Sequence, residues 1–118
     1  MNKLLILDDS PDLLDTLKYI LGNIGYKVKT LLSADNIYRE IHDFQPDLLL
    51  LDIFLGEEDG REICKQLRKS GENKDLRILV FSSYSTALHD YKSFYADDYI
   101  EKPFELKSLV DKITLVLN

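Results

Sequence analysis

Leu48-Leu49-Leu50-Leu51-Asp52 is the stretch that decides the fold. Four leucines in a row leave no polar face, so the run reads as a short strand buried on both sides. Gln45-Pro46-Asp47 breaks the chain just before it, and Asp52 ends it. Open α/β sheets place their binding crevice at the carboxyl ends of the strands, where Asp52 would stand. Aspartate is also a common turn former. What favours a site is that two further strands end in the same way.

Outward from this strand the chain alternates strand and helix. Lys3-Leu4-Leu5-Ile6-Leu7 is a first strand running into Asp8-Asp9. Ser10-Pro11 opens a helix, with serine as cap, proline in the first turn and Asp12 complementing the dipole. Leu13, Leu14, Leu17, Ile20, Leu21 and Ile24 keep the helical period, and Gly25 stops it. Tyr26 to Leu31 alternates apolar and polar residues, as a strand near a sheet edge does. Ser33 can cap a second helix through Phe44, with Ala34, Ile37, Ile41 and Phe44 inward. Beyond the leucine strand, Gly56 to Gly60 reads as a loop. Arg61 to Lys69 reads as a third helix with Ile63, Cys64 and Leu67 inward. Arg77 to Phe81 is a fourth strand that runs into Ser82-Ser83, and a weaker helical pattern covers about Thr86 to Phe94. Tyr99-Ile100 is the core of a short fifth strand ended by Lys102-Pro103. Leu106, Leu109, Val110, Ile113, Val116 and Leu117 mark an amphipathic last helix. Strand-helix alternation repeated five times predicts an α/β domain over residues 1–118. Its sheet would be parallel, with helices on both faces and right-handed crossovers.

Composition sets the outer bounds. With 118 residues, 45% hydrophobic and 31% charged, the chain suffices for one domain with a real core. It has no apolar run of membrane length, and Asp8-Asp9 cut short anything resembling a signal peptide. The single cysteine excludes an internal disulfide and suits a reducing, cytoplasmic compartment. Its place on the inward face of the third helix makes Cys64 a buried core residue rather than a nucleophile. A formal net charge of −6 gains nothing from counterion release, which speaks against direct nucleic-acid binding.

In a parallel sheet the residues just after strands one, three, four and five share one rim. Here those are Asp8 and Asp9, Asp52, Ser82 and Ser83, and Lys102. Singly each has an ordinary structural explanation: a helix start, a turn, a solvated lysine. Jointly they form a site. Two carboxylates roughly 4 Å apart repel by about 4 kcal/mol at an effective dielectric near 20, so such a group takes up a proton or a cation. Hard oxygen ligands with room for water suit Mg²⁺. A phosphoryl group on one carboxylate would then lie among a metal, an ammonium, a hydroxyl and backbone N–H groups, the set that stabilises phosphoryl transfer.

These residues, with Gly60 eight positions past Asp52 and the run Asp97-Asp98-Tyr99-Ile100-Glu101-Lys102-Pro103-Phe104, give the chain its resemblance. It resembles the receiver domain of two-component response regulators over essentially its whole length. The resemblance implies a flavodoxin-like doubly wound sheet of strand order 2-1-3-4-5. It implies that Asp52 accepts a phosphoryl group from a phosphohistidine of a histidine kinase or phosphotransfer protein. It further implies Mg²⁺ held by Asp9 and Asp52, by Asp8 mainly through water, and by the backbone carbonyl of Phe54. Ser82 and Lys102 would contact the phosphoryl group, Ser83 would offer its N–H, and a cis bond would precede Pro103. Tyr99 would be the aromatic switch that follows Ser82, altering the surface of the fourth helix, fifth strand and fifth helix, where an output partner or a second copy would dock.

The chain departs from the family pattern at a few places. Serine stands at 82 where threonine is commoner, and Gly56 where proline is frequent. Tyr95 stands where glycine is frequent, so a positive φ there would be strained. Phe54 and Tyr84 occupy the two positions that tune phosphoryl lifetime, and neither offers a carboxamide or carboxylate to orient water; they are expected to shield the acyl phosphate. His42 and His89 match no motif position and read as surface helix residues. Two rival classes share parts of the site. A degenerate receiver acting as a phosphorylation-independent binding module would not need the intact acids and lysine. An aspartyl-nucleophile phosphatase of the haloacid dehalogenase type needs a second aspartate two residues after the first-strand nucleophile, where Ser10 stands.

Overall fold

The computed structural model describes residues 2–118. In chain order its main elements are β1 (Lys3–Leu7), α1 (Pro11–Ile24), β2 (Lys27–Leu31), α2 (Ile37–Phe44) and β3 (Leu48–Asp52). They continue with α3 (Gly60–Lys69), β4 (Arg77–Ser82), α4 (Ser85–His89), β5 (Asp98–Glu101) and α5 (Leu106–Leu117). The strands form one parallel five-stranded sheet of order β2-β1-β3-β4-β5. The parallel sense is what the alternation predicts, and the flavodoxin-like order is the one the resemblance implies.

The leucine run is the middle strand, and Leu48, Leu49, Leu50 and Leu51 are all 0% exposed. Burying each such side chain contributes roughly 1.5–3 kcal/mol. Successive residues feed opposite layers. Leu49 and Leu51 join Ile37 and Ile41 of α2, Cys64 and Leu67 of α3 and Leu88 of α4. Leu48 and Leu50 join Leu14, Leu17 and Leu21 of α1 and Leu109 and Ile113 of α5. The alternating strand β2 lies at the sheet edge, and its residues are half-buried or exposed.

Helix α1 is bounded as its sequence directs. The Ser10 hydroxyl accepts from Leu13 N–H at 3.3 Å, and Gly25 adopts φ 123°. The N–H groups of Gly25 and Tyr26 return to the carbonyls of Gly22 and Leu21, closing the last turn. Ile24 is 49% exposed and lies off the inward face.

Three segments differ from the sequence expectation. Helix α2 begins at Ile37, not Ser33, because the Ser33 hydroxyl accepts from Asp35 N–H and closes a local turn instead of capping a helix. The expected helix over 86–94 divides into α4 and a 3₁₀ turn, Tyr91–Phe94. Tyr95 ends that turn in the left-handed region at φ 67°, the strained conformation anticipated for this position, and lets Phe94 and Ala96 on either side become buried. The loop after Asp52 contains a two-residue antiparallel ladder, Phe54–Leu55 against Glu58–Asp59, with Gly56 at φ 60° in its turn.

Gly60 starts α3 beneath this ladder, its N–H donating to the Ile53 carbonyl at 2.6 Å. A Cβ there would collide with the Asp52 carbonyl oxygen and lie 2.9 Å from Ile53 Cα, both rigid backbone. Gly22, in α1, has open space around the same atom. Gly60→Ala is expected to lose about 2 kcal/mol or more in urea unfolding, whereas Gly22→Ala is neutral or gains up to about 1 kcal/mol.

Candidate functional site

The parallel register brings the strand ends to one rim. Asp8 follows β1, Asp52 closes β3, Ser82 closes β4, and Lys102 follows β5. Asp8 is fully buried, Asp52 is 6% exposed, and Asp9 lies open to solvent. Carboxylate oxygens of Asp8, Asp9 and Asp52 all lie within 4.8 Å of one another.

Lys102 answers that concentration of charge. Its Nζ donates to Asp8 Oδ2 at 2.7 Å and to Asp52 Oδ2 at 3.4 Å. It also sits 4.5 Å from the centre of the Phe81 ring, a cation–π contact from the adjoining strand. Its own backbone N–H donates to the Ser82 carbonyl at 2.8 Å, and the Lys102-Pro103 bond is cis.

The remaining carboxylate oxygens are used locally. Asp8 Oδ1 accepts from Ser10 N–H at 2.8 Å, and Asp52 Oδ1 accepts from Phe54 N–H at 3.3 Å. Burial pushes the Asp52 carboxyl up from an ordinary 3.8 to about 6. The Lys102 ammonium opposes the rise, the Asp8 charge adds to it, and the Phe54 N–H opposes it. Two buried aspartates sharing one lysine thus keep an unmet charge. Three clustered carboxylates with one member open to solvent fit a hard divalent cation that retains water.

The other sequence-designated residues take several positions. The Ser82 hydroxyl is 1% exposed and accepts from Tyr84 N–H at 3.1 Å. Ser83 is exposed beside it. Phe54, 39% exposed, meets Tyr84 edge to face with ring centres 4.9 Å apart. Tyr99 stands away from the acids. Its ring packs 5.3 Å from Tyr91 and 5.8 Å from His89, with the Lys112 ammonium 5.1 Å from its centre. The aromatic stripe of the α4–β5 region is therefore mixed: Phe94 is core, Tyr91 and Tyr99 are half-buried, and Tyr95 is 58% exposed.

Cys64 is fully buried, and burial raises its thiol to about 11, so it is an inert core residue. His42 is exposed and bonds Glu72 at 2.8 Å, which raises its pKa. Among the described residues no helix is long and apolar enough to cross a membrane.

Sequence reasoning did not find Arg68. Its guanidinium donates to the carbonyls of Tyr95 at 2.9 Å and Leu76, and to Asp97 Oδ2 at 2.8 Å, which also accepts from Ile78 N–H at 2.7 Å. This clasp fixes the left-handed Tyr95 turn to α3, at the end of the sheet away from the acids. An arginine in the last turn of a helix carries no local signal for a partner 29 residues on.

Comparison with known proteins gives one answer. The sequence model of the response regulator receiver domain matches residues 4–114. The chain is 32% identical over 117 residues to the DNA-binding transcriptional regulator NtrC of Azospirillum brasilense, covering 98% of this chain and 24% of that protein. It is 29% identical over 119 residues to the DNA-binding dual master transcriptional regulator RpaA of Synechocystis sp., covering 99% and 49%. It thus spans about a quarter and about half of the length of these two relatives. The crystal structure of the BeF3-activated N-terminal receiver domain of Klebsiella pneumoniae RstA superposes with a TM-score of 0.87 at 27% identity, covering 99% of both chains.

The raised Asp52 pKa has a consequence for folding. The unfolded carboxyl titrates near 3.8 and the folded one near 6, so the folded state binds more protons in between. The Asp52 contribution to stability then falls as pH rises from about 4 to about 6 and stays low above that window. In EDTA, Asp52→Asn is expected to raise the unfolding free energy at pH 7.5 by roughly 1–3 kcal/mol, with no gain at pH 3.5, by urea titration at both pH values.

Proposed function

Because the chain belongs to the response regulator receiver domain family, we propose that it is a phosphorylation-operated switch with Asp52 as its phosphoacceptor. Receiver domains are signalling switches and bind Mg²⁺ through an acidic cluster. The observation that carries the reading is the convergence of Asp8, Asp9 and Asp52 on one rim, with Lys102 Nζ between the two buried members.

The donor is a phosphohistidine on a histidine kinase or phosphotransfer protein. An Asp52 oxygen attacks phosphorus, the P–N bond breaks, and the imidazole nitrogen leaves with the bonding pair and takes a proton from solvent. Asp9 and Asp52 would hold Mg²⁺ directly, Asp8 through water, with the Phe54 carbonyl completing the protein ligands. When bound, the metal supplies positive charge to the phosphoryl oxygens. The chain's own groups do the rest. Asp52 lies at a fixed strand end and needs little reorganisation. Lys102 Nζ, already 3.4 Å from Asp52 Oδ2, would trade a carboxylate partner for a phosphoryl oxygen. The Ser82 hydroxyl accepts from Tyr84 N–H, which leaves its hydrogen to donate to a phosphoryl oxygen. The Ser83 backbone N–H is the further donor.

Phosphorylation adds roughly −1.5 to −2 charge to this rim. Ser82 and Lys102 are drawn toward it, and the start of α4 follows Ser82. Tyr99, packed between His89 and Tyr91 on one side and Lys112 on another, is then free to turn inward. The effect is a population shift that changes the α4–β5–α5 surface, where an output partner or a second copy of the chain docks. The compartment is the cytoplasm, where the kinases of such systems present their phosphohistidines.

Intact mass after incubation with acetyl phosphate tests the reading. Wild type with Mg²⁺ is expected to gain about one phosphoryl group, and Asp52→Asn or added EDTA to abolish the gain. Metal binding without any gain would instead support a phosphorylation-independent binding module, and turnover of a small phosphoester would support a phosphatase.

A further inference from the structure

Phe54 and Tyr84 are each tied to the chemistry two residues upstream. Phe54 N–H donates to Asp52 Oδ1 and Tyr84 N–H to Ser82 Oγ. Asp52 and Phe81 are register partners on adjacent strands, so the two aromatic residues leave neighbouring strand ends and their rings meet across the gap. A second pair backs this contact from the α3 side. Asp59 caps α3 by accepting from Arg61 N–H at 2.9 Å. The same carboxylate takes Arg61 Nε at 3.0 Å and Nη2 at 2.8 Å, a two-pronged clamp on the guanidinium. The clamped group lies 5.6 Å from the Phe54 ring centre. Asp59 and Phe54 are also partners in the short ladder, so the cation and the ring are held on one small frame. The hydrogen bonds from Arg61 keep the Asp59 carboxyl below its usual range.

We propose that Arg61, clamped by Asp59, is a positioning residue that holds Phe54 against Tyr84 as a cover over a phosphoryl group on Asp52. This rests on the phosphoacceptor role of Asp52 and concerns the lifetime of the phosphorylated state. In hydrolysis a water oxygen attacks phosphorus, the bond from phosphorus to the Asp52 oxygen breaks, the carboxylate leaves with the pair, and the water's proton passes to solvent. The cover slows the approach of that water. Arg61 touches neither water nor phosphoryl group and acts through the Phe54 ring.

The test uses the whole chain, loaded with acetyl phosphate and Mg²⁺, freed of donor, and followed by intact mass. Arg61→Met keeps the aliphatic stem and the Asp59 cap but loses the cation. It is expected to shorten the phosphoryl half-life roughly two- to fivefold, the factor that an exposed cation–π contact is worth. Arg61→Lys, which keeps a cation over the ring, is expected to restore part of the loss. In a Phe54→Ala background, Arg61→Met should change the half-life by less than about twofold, because the ring through which it acts is gone. Wild-type decay in Arg61→Met, or an undiminished effect of Arg61→Met without Phe54, overturns the proposal. Should Arg61→Met fold poorly by thermal melting, Asp59→Asn with its cap retained is read instead, with the same expected acceleration. Failure of wild type to load at all would overturn the phosphoacceptor reading itself, whereas loading with unchanged decay overturns only the role of Arg61.

Discussion

One ammonium group joins four of the five strands at their functional ends. Lys102 Nζ bonds Asp8 after β1 and Asp52 at the end of β3, and it rests over Phe81 of β4. Its backbone, leaving β5, is bonded to Ser82. Removing its charge would leave Asp8 buried without a counter-ion, a situation proteins avoid because desolvating a lone carboxylate costs several kcal/mol. Yet one positive charge cannot satisfy two buried carboxylates. Burial raises the Asp52 carboxyl to about 6, the Lys102 ammonium only partly offsets that rise, and the Asp8 charge adds to it. Under the proposed function a divalent cation and a phosphoryl group would change the balance together, one adding positive charge and the other giving Lys102 a new anionic partner.

How much of this was legible in the sequence follows from burial. Where a segment is enclosed on both faces, as Leu48–Leu51 is, solvation leaves no alternative and four letters suffice. Helix α1 was legible for a different reason: Ser10, Pro11 and Gly25 act through their own backbone, so their meaning is local. Failures came where a local signal had two uses. Ser33 has the chemistry of a helix cap and spent it on Asp35 N–H. The segment 86–94 carried a weak helical period, but the left-handed turn at Tyr95 reset its direction so that Phe94 could enter the core. No local preference favours tyrosine in that conformation. It is imposed by distant partners, the Arg68 guanidinium above all.

The site divides in the same way. Asp8, Asp9, Asp52, Ser82 and Lys102 were legible because strand ends in a parallel sheet must share a rim, whatever the helices do. The contacts surrounding them were not, because each joins side chains of different elements. The Phe81 ring under Lys102 is an apolar strand residue like any other until β5 is placed beside it. Arg61 read as the first residue of the third helix, and its pairing with Asp59 and Phe54 depends on the short ladder that a glycine-bounded loop concealed.

The two arginines stand toward opposite ends of the segment between β4 and β5, Arg61 through the Phe54 ring and Arg68 directly. Arg68 anchors the α4–β5 connection through the Tyr95 carbonyl and Asp97, far from the acids. At the acidic end α4 begins from Tyr84, whose N–H is held by the Ser82 hydroxyl and whose ring leans on Phe54. A segment anchored at one end and attached at the other through a hydroxyl that has a second use is a lever. Ser82 cannot shift toward a phosphoryl oxygen without carrying the Tyr84 N–H or releasing it. In the proposed switch, a Ser82 that keeps this bond would carry the start of α4 with it, while the far end is held by Arg68. Such a displacement would have to be taken up between them, where Leu88 is buried and His89 and Tyr91 pack against the Tyr99 ring.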